Sequence, residues 1–276
     1  MPKSKAGRAR LLHRDPRAGS AEYLLDNGLK LIVCPRHHAP VVTVMTWYRA
    51  GSRDERPNEF GAAHFVEHMM FKGTRGLPKG AIDRMTQWQG GHNNAFTSHD
   101  HTSYLFELSA QHWPLALEIE ASRMRDCLFA PKEVASERSV IIEEFSRYQE
   151  QPWPYLVERV ERALYPRHPY GRPVVGELAT LKAMRRDDLL GFYRRYYVPE
   201  HAFVVVAGDV REEDVVAETV RRLGPLAGKG GRREEYPVVL PEGGERLTLA
   251  RPVQAARLAL GYRTCRVGDP DDYVLD

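Results

Sequence analysis

Short runs of β-branched and aromatic residues, separated by clusters of turn-forming ones, set the pattern from Ala21 onward. Two such runs between Ala21 and Cys34 flank Asp26-Asn27-Gly28, the composition of a tight hairpin turn, and Val41 to Tyr48 reads as a third strand. Asn93 to Ser98 and Thr102 to Ser109, rich in Thr, Phe and Tyr, predict a further hairpin closed by the polar His99-Asp100-His101. His201 to Ala207 is a strongly apolar strand that ends at Gly208-Asp209. Elsewhere the spacing predicts helices over about Glu59–Phe71, Ala81–Gln89, Gln111–Asp126, Pro131–Gln149, Pro154–Leu164, Arg186–Tyr196 and Glu212–Leu223. In the first of them Ala62, Phe65 and Met69 form a core-facing stripe and Gly73 supplies the stop. The fold class read from these elements is α+β.

The texture changes after Leu223. Gly224 to Glu235 is rich in Gly, Lys and Arg and poor in large apolar residues, as an interdomain linker is. Beyond it Arg246–Ala250 and Ala256–Tyr262 predict two strands, and Asp269-Pro270-Asp271-Asp272-Tyr273 has the acidic character of a helix start. Two strands and one helical turn cannot bury a core of their own. The expected organisation is therefore a basic, disordered tail over 1–20, a first domain over 21–223, a linker over 224–240 and the truncated start of a second domain over 241–276.

Composition narrows the function classes. A chain of 276 residues with 42% hydrophobic content can bury at least one full domain, and a net charge of +3 is too mild to argue for a nucleic-acid partner. No apolar run approaches the roughly 18–20 residues of a membrane span, so no membrane partner is expected. Met1 to Ser20 has no apolar core of a secretory signal, and Asp15 and two prolines spoil a mitochondrial presequence. Cys34, Cys127 and Cys265 are widely spaced and odd in number, which reads as reduced thiols in a cytoplasmic setting.

Candidate chemistry concentrates in His64-Phe65-Val66-Glu67-His68. On a helix the two imidazoles, four apart, leave the same face and can reach one zinc ion at about 2.0–2.1 Å. Glu67 lies close enough to touch a water on that metal without being a ligand. The order is the reverse of the His-Glu-x-x-His motif, in which the base follows the first ligand. Five residues alone also fit an ordinary polar helix face, and a catalytic zinc needs a third protein ligand. The segment Pro131 to Gln149 offers one: Glu137, Ile141, Glu144, Phe145 and Tyr148 share a stripe, which sets two carboxylates at the edge of a face that should be buried. His99 and His101, two apart in the hairpin turn, read as exposed turn residues rather than as a second metal clip.

Together these residues resemble the pitrilysin/insulinase family of inverted-motif zinc peptidases, which includes the mitochondrial processing peptidase. The likeness rests on His-x-x-Glu-His followed by Glu144, 76 positions after His68, with Glu137 seven before it. Gly90 to Tyr104 is similar to the family's substrate-strand segment and His168 to Glu177 to its Pro/Gly-rich segment, and the order and spacing fit from about Tyr23 to Val210.

The resemblance implies a mostly antiparallel sheet flanked by helices, followed by a second domain of similar fold. It implies one zinc ion per chain held by His64, His68 and Glu144, and two catalytic glutamates: Glu67 as the general base that activates a zinc-bound water, and Glu137 as support for the site. Glu143 competes with Glu144 for the third ligand but is turned about 100° away on a helix. Backbone groups of Asn94, Ala95 and Phe96 would add a peptide substrate as an extra strand. The implied activity is that of a zinc-dependent endopeptidase acting on extended peptides or oligopeptides. Full turnover would need a C-terminal domain or a complementary homologous subunit. Non-catalytic relatives of similar fold typically lose metal residues, whereas His64, Glu67, His68, Glu137 and Glu144 are all in place here. A purely structural zinc site would explain neither Glu67 nor the substrate strand.

Overall fold

The computed structural model describes residues 7–237, 239 and 243–275. Seven strands, β1 (Ala9–Asp15), β2 (Ser20–Leu25), β3 (Lys30–Pro35), β4 (Val41–Tyr48), β5 (His92–Thr97), β6 (Thr102–Ser109) and β7 (Ala202–Gly208), form one sheet in the order β1-β2-β3-β7-β4-β6-β5. Every neighbouring pair is antiparallel except β3 with β7. Among the described residues nine α-helices accompany it: α1 (Ala62–Met69), α2 (Ala81–Trp88), α3 (Pro114–Asp126), α4 (Pro131–Glu150), α5 (Pro152–Leu164), α6 (Leu178–Ala183), α7 (Arg186–Tyr196), α8 (Glu212–Leu223) and the single turn α9 (Asp272–Leu275).

Alternation along the strands decides where the helices go. On β4 the side chains of Val42, Val44, Thr46 and Tyr48 are buried and the ones between them are not. Val44 lies opposite Phe106 on one side and Val206 on the other, so the inward set runs unbroken across β6, β4 and β7. Phe65 and Met69 of α1, Leu117 and Ile119 of α3, Leu189 and Phe192 of α7 and Val215 of α8 close over that face in a single apolar core.

Both ends of α1 are tied down. At its start Gly61 adopts φ 98°, and a Cβ there would meet Leu181 Cδ2 at 2.7 Å and the carbonyl oxygen of Val175 at 2.8 Å. Only glycine fits that close approach of the His168–Glu177 segment. The buried carboxyl of Glu55 accepts the Ala63 N–H at 2.9 Å, which satisfies one of the free donors of the first turn. Beyond the last turn of α1, the fully buried Arg123 donates to the Met70 carbonyl at 3.1 Å. Arg123 also pairs with Glu120 at 2.7 Å and stacks over Phe71 and Tyr104, so its charge is compensated inside the core.

Four features differ from the sequence expectation. Ala9–Asp15, within the segment read as a disordered tail, is the edge strand β1, which pairs with β2 through a bulge between Leu11 and His13. Five consecutive residues of it are exposed, so it carries none of the alternation that marks a half-buried strand. Arg246–Ala250 and Ala256–Tyr262, read as strands, pair with no strand among the described residues, which leaves their backbone groups without a ladder. The motif helix begins at Ala62 rather than near Glu59, because the left-handed Gly61 separates it from the turn before it, and α6 was not anticipated.

Candidate metal centre

His64 and His68 leave the same side of α1 and turn their Nε2 atoms toward each other at 3.2 Å. Two imidazole nitrogens this close either share a proton or aim two lone pairs at a common cation. Glu144, about two thirds of the way along α4, brings its Oε2 to 3.6 Å from His68 Nε2 and 3.9 Å from His64 Nε2. Ligands of a tetrahedral zinc at about 2.0–2.1 Å stand ~3.3 Å apart, so the three donors already sit near coordination spacing. They form the one group of three possible metal-holding side chains among the described residues. Glu143 is exposed and outside the group.

The chemistry of the donors fits a metal as well as their spacing does. Burial, with the His68 ring beside it, drives the pKa of His64 down to about 3, so this imidazole stays neutral with a lone pair to offer. Its Nδ1 is buried without a hydrogen-bond partner among the described residues. His68 is held differently. Its Nδ1 meets Glu137 Oε1 at 2.9 Å, and Glu137 Oε2 meets Lys72 Nζ at 2.6 Å. Burial alone would raise the Glu137 carboxyl, but the hydrogen bonds from Lys72 and His68 outweigh it and hold the group below the ordinary carboxylate range. Glu137 as an anion fixes His68 with its proton on Nδ1 and its lone pair on Nε2.

Glu67 points the other way, toward β5. Burial pushes its carboxyl above the ordinary range, with the charge of Glu144 acting in the same direction and a hydrogen bond from Thr97 opposing. The Thr97 hydroxyl donates to Glu67 Oε2 and lies 3.4 Å from the Thr102 hydroxyl, which in turn donates to the Ala50 carbonyl at 2.9 Å. A carboxyl with a raised pKa beside a metal-holding group is equipped to take and return a proton.

Asn94, Ala95 and Phe96 lie on β5, the last strand of the sheet, opposite Leu105, Tyr104 and Ser103 of β6. No strand among the described residues pairs with the outer side of β5. Asn94 and Phe96 are exposed, whereas Ala95 and Thr97 face the helix layer. His99 Nε2 donates to the Arg172 carbonyl at 3.1 Å while His101 packs against Trp47, so the two turn histidines serve separate contacts. Lys72 and Thr97 were missed by sequence reasoning. The signal for Lys72 was its place four residues after His68. The signal for Thr97 was its alternation with Ala95 on one face of β5.

Residues 31–177 match the family described as Insulinase (Peptidase family M16), and residues 183–276 match the Peptidase M16 inactive domain. The second match begins in α6 and takes in β7, which lies in the middle of the first sheet, so its boundary is not a structural one. An uncharacterized zinc protease of Mycobacterium tuberculosis is 34% identical over 258 residues, covering 91% of this chain and 58% of that protein. A protease from Helicobacter pylori of known crystal structure is 30% identical, with a TM-score of 0.74 over 81% of this chain and 53% of that one. Pitrilysin, at 20% identity, has the same fold, with a TM-score of 0.74 over 84% of this chain and 26% of that one. The chain spans a little under three fifths of the length of the curated relatives it matches. A first match that covers more than half of the chain, spanning the paired histidines, Glu137 and Glu144, places this protein in the insulinase family of peptidases, family M16.

Proposed function

We propose that the chain is the catalytic half of a zinc-dependent endopeptidase that hydrolyses peptide bonds in extended peptides or oligopeptides. The observation that carries this reading is the convergence of His64, His68 and Glu144 beside the raised carboxyl of Glu67, next to the edge strand β5, whose outer side pairs with no strand among the described residues. His64, His68 and Glu144 would hold one zinc per chain. Bound there, zinc supplies Lewis-acid polarisation of a peptide carbonyl and lowers the pKa of water. Glu67 takes the proton of the attacking water and delivers it to the leaving amine, a double role suited to a pKa above the ordinary carboxylate value. Glu137 keeps His68 in the tautomer that offers Nε2. Backbone groups of Asn94, Ala95 and Phe96 receive the peptide as an added strand, which gives main-chain recognition tolerant of sequence.

The reading includes a complementary half, as a C-terminal domain or a homologous subunit. Its support is the share of the relatives' length that this chain spans and the exposure of Leu258, Leu260, Tyr262 and Tyr273 beyond the linker. Zinc stoichiometry of the purified chain tests the site. One zinc per chain, lost in Glu144→Gln and kept in Glu143→Gln, is the expected result. An unmodified chain without zinc, or one whose zinc survives Glu144→Gln, would overturn the reading. Peptide cleavage on adding the complementary half, absent with His68→Ala, tests the activity.

A further inference from the structure

We propose that Lys72 is a positioning residue of the metal centre: its ammonium takes one oxygen of Glu137 and so commits the other to His68 Nδ1, which keeps His68 Nε2 turned toward His64 and Glu144. The inference rests on the zinc reading above and adds a residue to it.

The geometry is that of a relay in which each group has one place to go. Lys72 lies just past the end of α1, where its backbone N–H bonds the Met69 carbonyl at 3.0 Å, and it is four residues after His68. From there Nζ reaches Glu137 Oε2 at 2.6 Å, while Oε1 lies 2.9 Å from His68 Nδ1. The Glu137 side chain is only 6% exposed, so water offers it little competing solvation and its two oxygens are divided between two donors. The Lys72 side chain is 24% exposed, less open than a freely solvated lysine. Exposed ion pairs contribute little, but here one partner is buried, and removing the cation leaves a carboxylate inside the protein with a single imidazole N–H to hold it.

The other histidine shows why this matters. His64 Nδ1 has no partner among the described residues, so nothing on that ring corresponds to the Glu137 anchor. An imidazole can present either nitrogen after a ring flip, and the orientation of the pair therefore depends on the His68 side. A cation at the C-terminal end of α1 is also favourably placed for the helix dipole, which lets Lys72 sit there without cost to the helix.

Zinc affinity of the full 276-residue chain, measured by competition with a chromophoric chelator, decides the matter. Lys72→Met is expected to weaken zinc binding by about 10- to 100-fold, the range for loss of an outer partner of a metal ligand. Lys72→Arg, which keeps the charge, is expected to restore most of it. Nitrogen NMR of the histidines should show His68 as a single tautomer in the parent and as a mixture in Lys72→Met. If the methionine variant does not fold, Lys72→Gln gives the same reading, with a comparable drop expected. Affinity unchanged in the Met or Gln variant, while His68→Ala abolishes binding, would overturn the role of Lys72 and leave the metal site standing. No zinc on the parent chain, or binding indifferent to His68→Ala, would overturn both.

Discussion

The two flanks of α1 hold their glutamates in opposite ways. Toward α4, Glu137 is bracketed by Lys72 and His68, and these charged or polarised donors keep it below the ordinary carboxylate range. Toward β5, Glu67 meets only the hydroxyl of Thr97 and, behind it, that of Thr102, and burial keeps it above that range. One carboxyl is thereby fixed as an anion and serves as a permanent acceptor. The other is left with a proton affinity that suits exchange. A single eight-residue helix thus carries a holding side and a reacting side, separated by the one-residue step from Glu67 to His68.

Substitutions on each flank break the comparison in different observables. On the reacting side Glu67→Gln should lower kcat/KM of the complemented enzyme by about 10²- to 10⁴-fold, as loss of a general base does, with zinc retained on elemental analysis. On the holding side Glu137→Gln should weaken zinc by about 10- to 100-fold in chelator competition. A Glu137→Gln variant that kept full zinc affinity while losing activity would erase the distinction between the flanks. A smaller effect is expected of Thr97→Val, which removes the hydrogen bond to Glu67. A drop of about tenfold in kcat with unchanged zinc affinity, and recovery in Thr97→Ser, would place Thr97 on the reacting side.

The smallest effect is in the pH dependence of stability. Glu137 has a folded pKa below the ordinary glutamate value of 4.5, so its pairing stabilises the fold above that value and is lost as pH falls through the lower, folded one. Urea midpoints measured with chelator present should therefore fall more steeply below about pH 4.5 in the parent than in Glu137→Gln. Equal slopes would mean that the Lys72 and His68 contacts do not persist in solution.

Local patterns carried the sequence a long way. Alternation and turn chemistry located β2 to β7, and the spacing of His64 and His68, with the shared stripe of Glu137 and Glu144, indicated the residues that the structure brings together. What escaped was information that is not local. β1 is a strand only because β2 offers it a ladder, and its own residues show no preference for a buried face. Lys72 reads as a solvated residue at a helix end until α4 places a buried carboxylate within its reach. Thr97 looks like an ordinary strand threonine until β5 is seen to run beside α1. The insertion of β7 between β3 and β4, with Leu31 beside Val204, leaves no mark in either segment.

That insertion governs the order of events during synthesis. Without Ala202–Gly208 the sheet consists of two separate three-stranded pieces, β1-β2-β3 and β4-β6-β5, and no other strand among the described residues joins them edge to edge. The motif helix emerges from the ribosome early, but the core face it rests on is continuous only once β7, encoded near the far end of the domain, has threaded into the gap. Pairings between residues so distant in sequence are slow to form and leave open strand edges in the meantime. Stable capture of the metal is therefore an event of the nearly finished domain, however soon its two histidines are made.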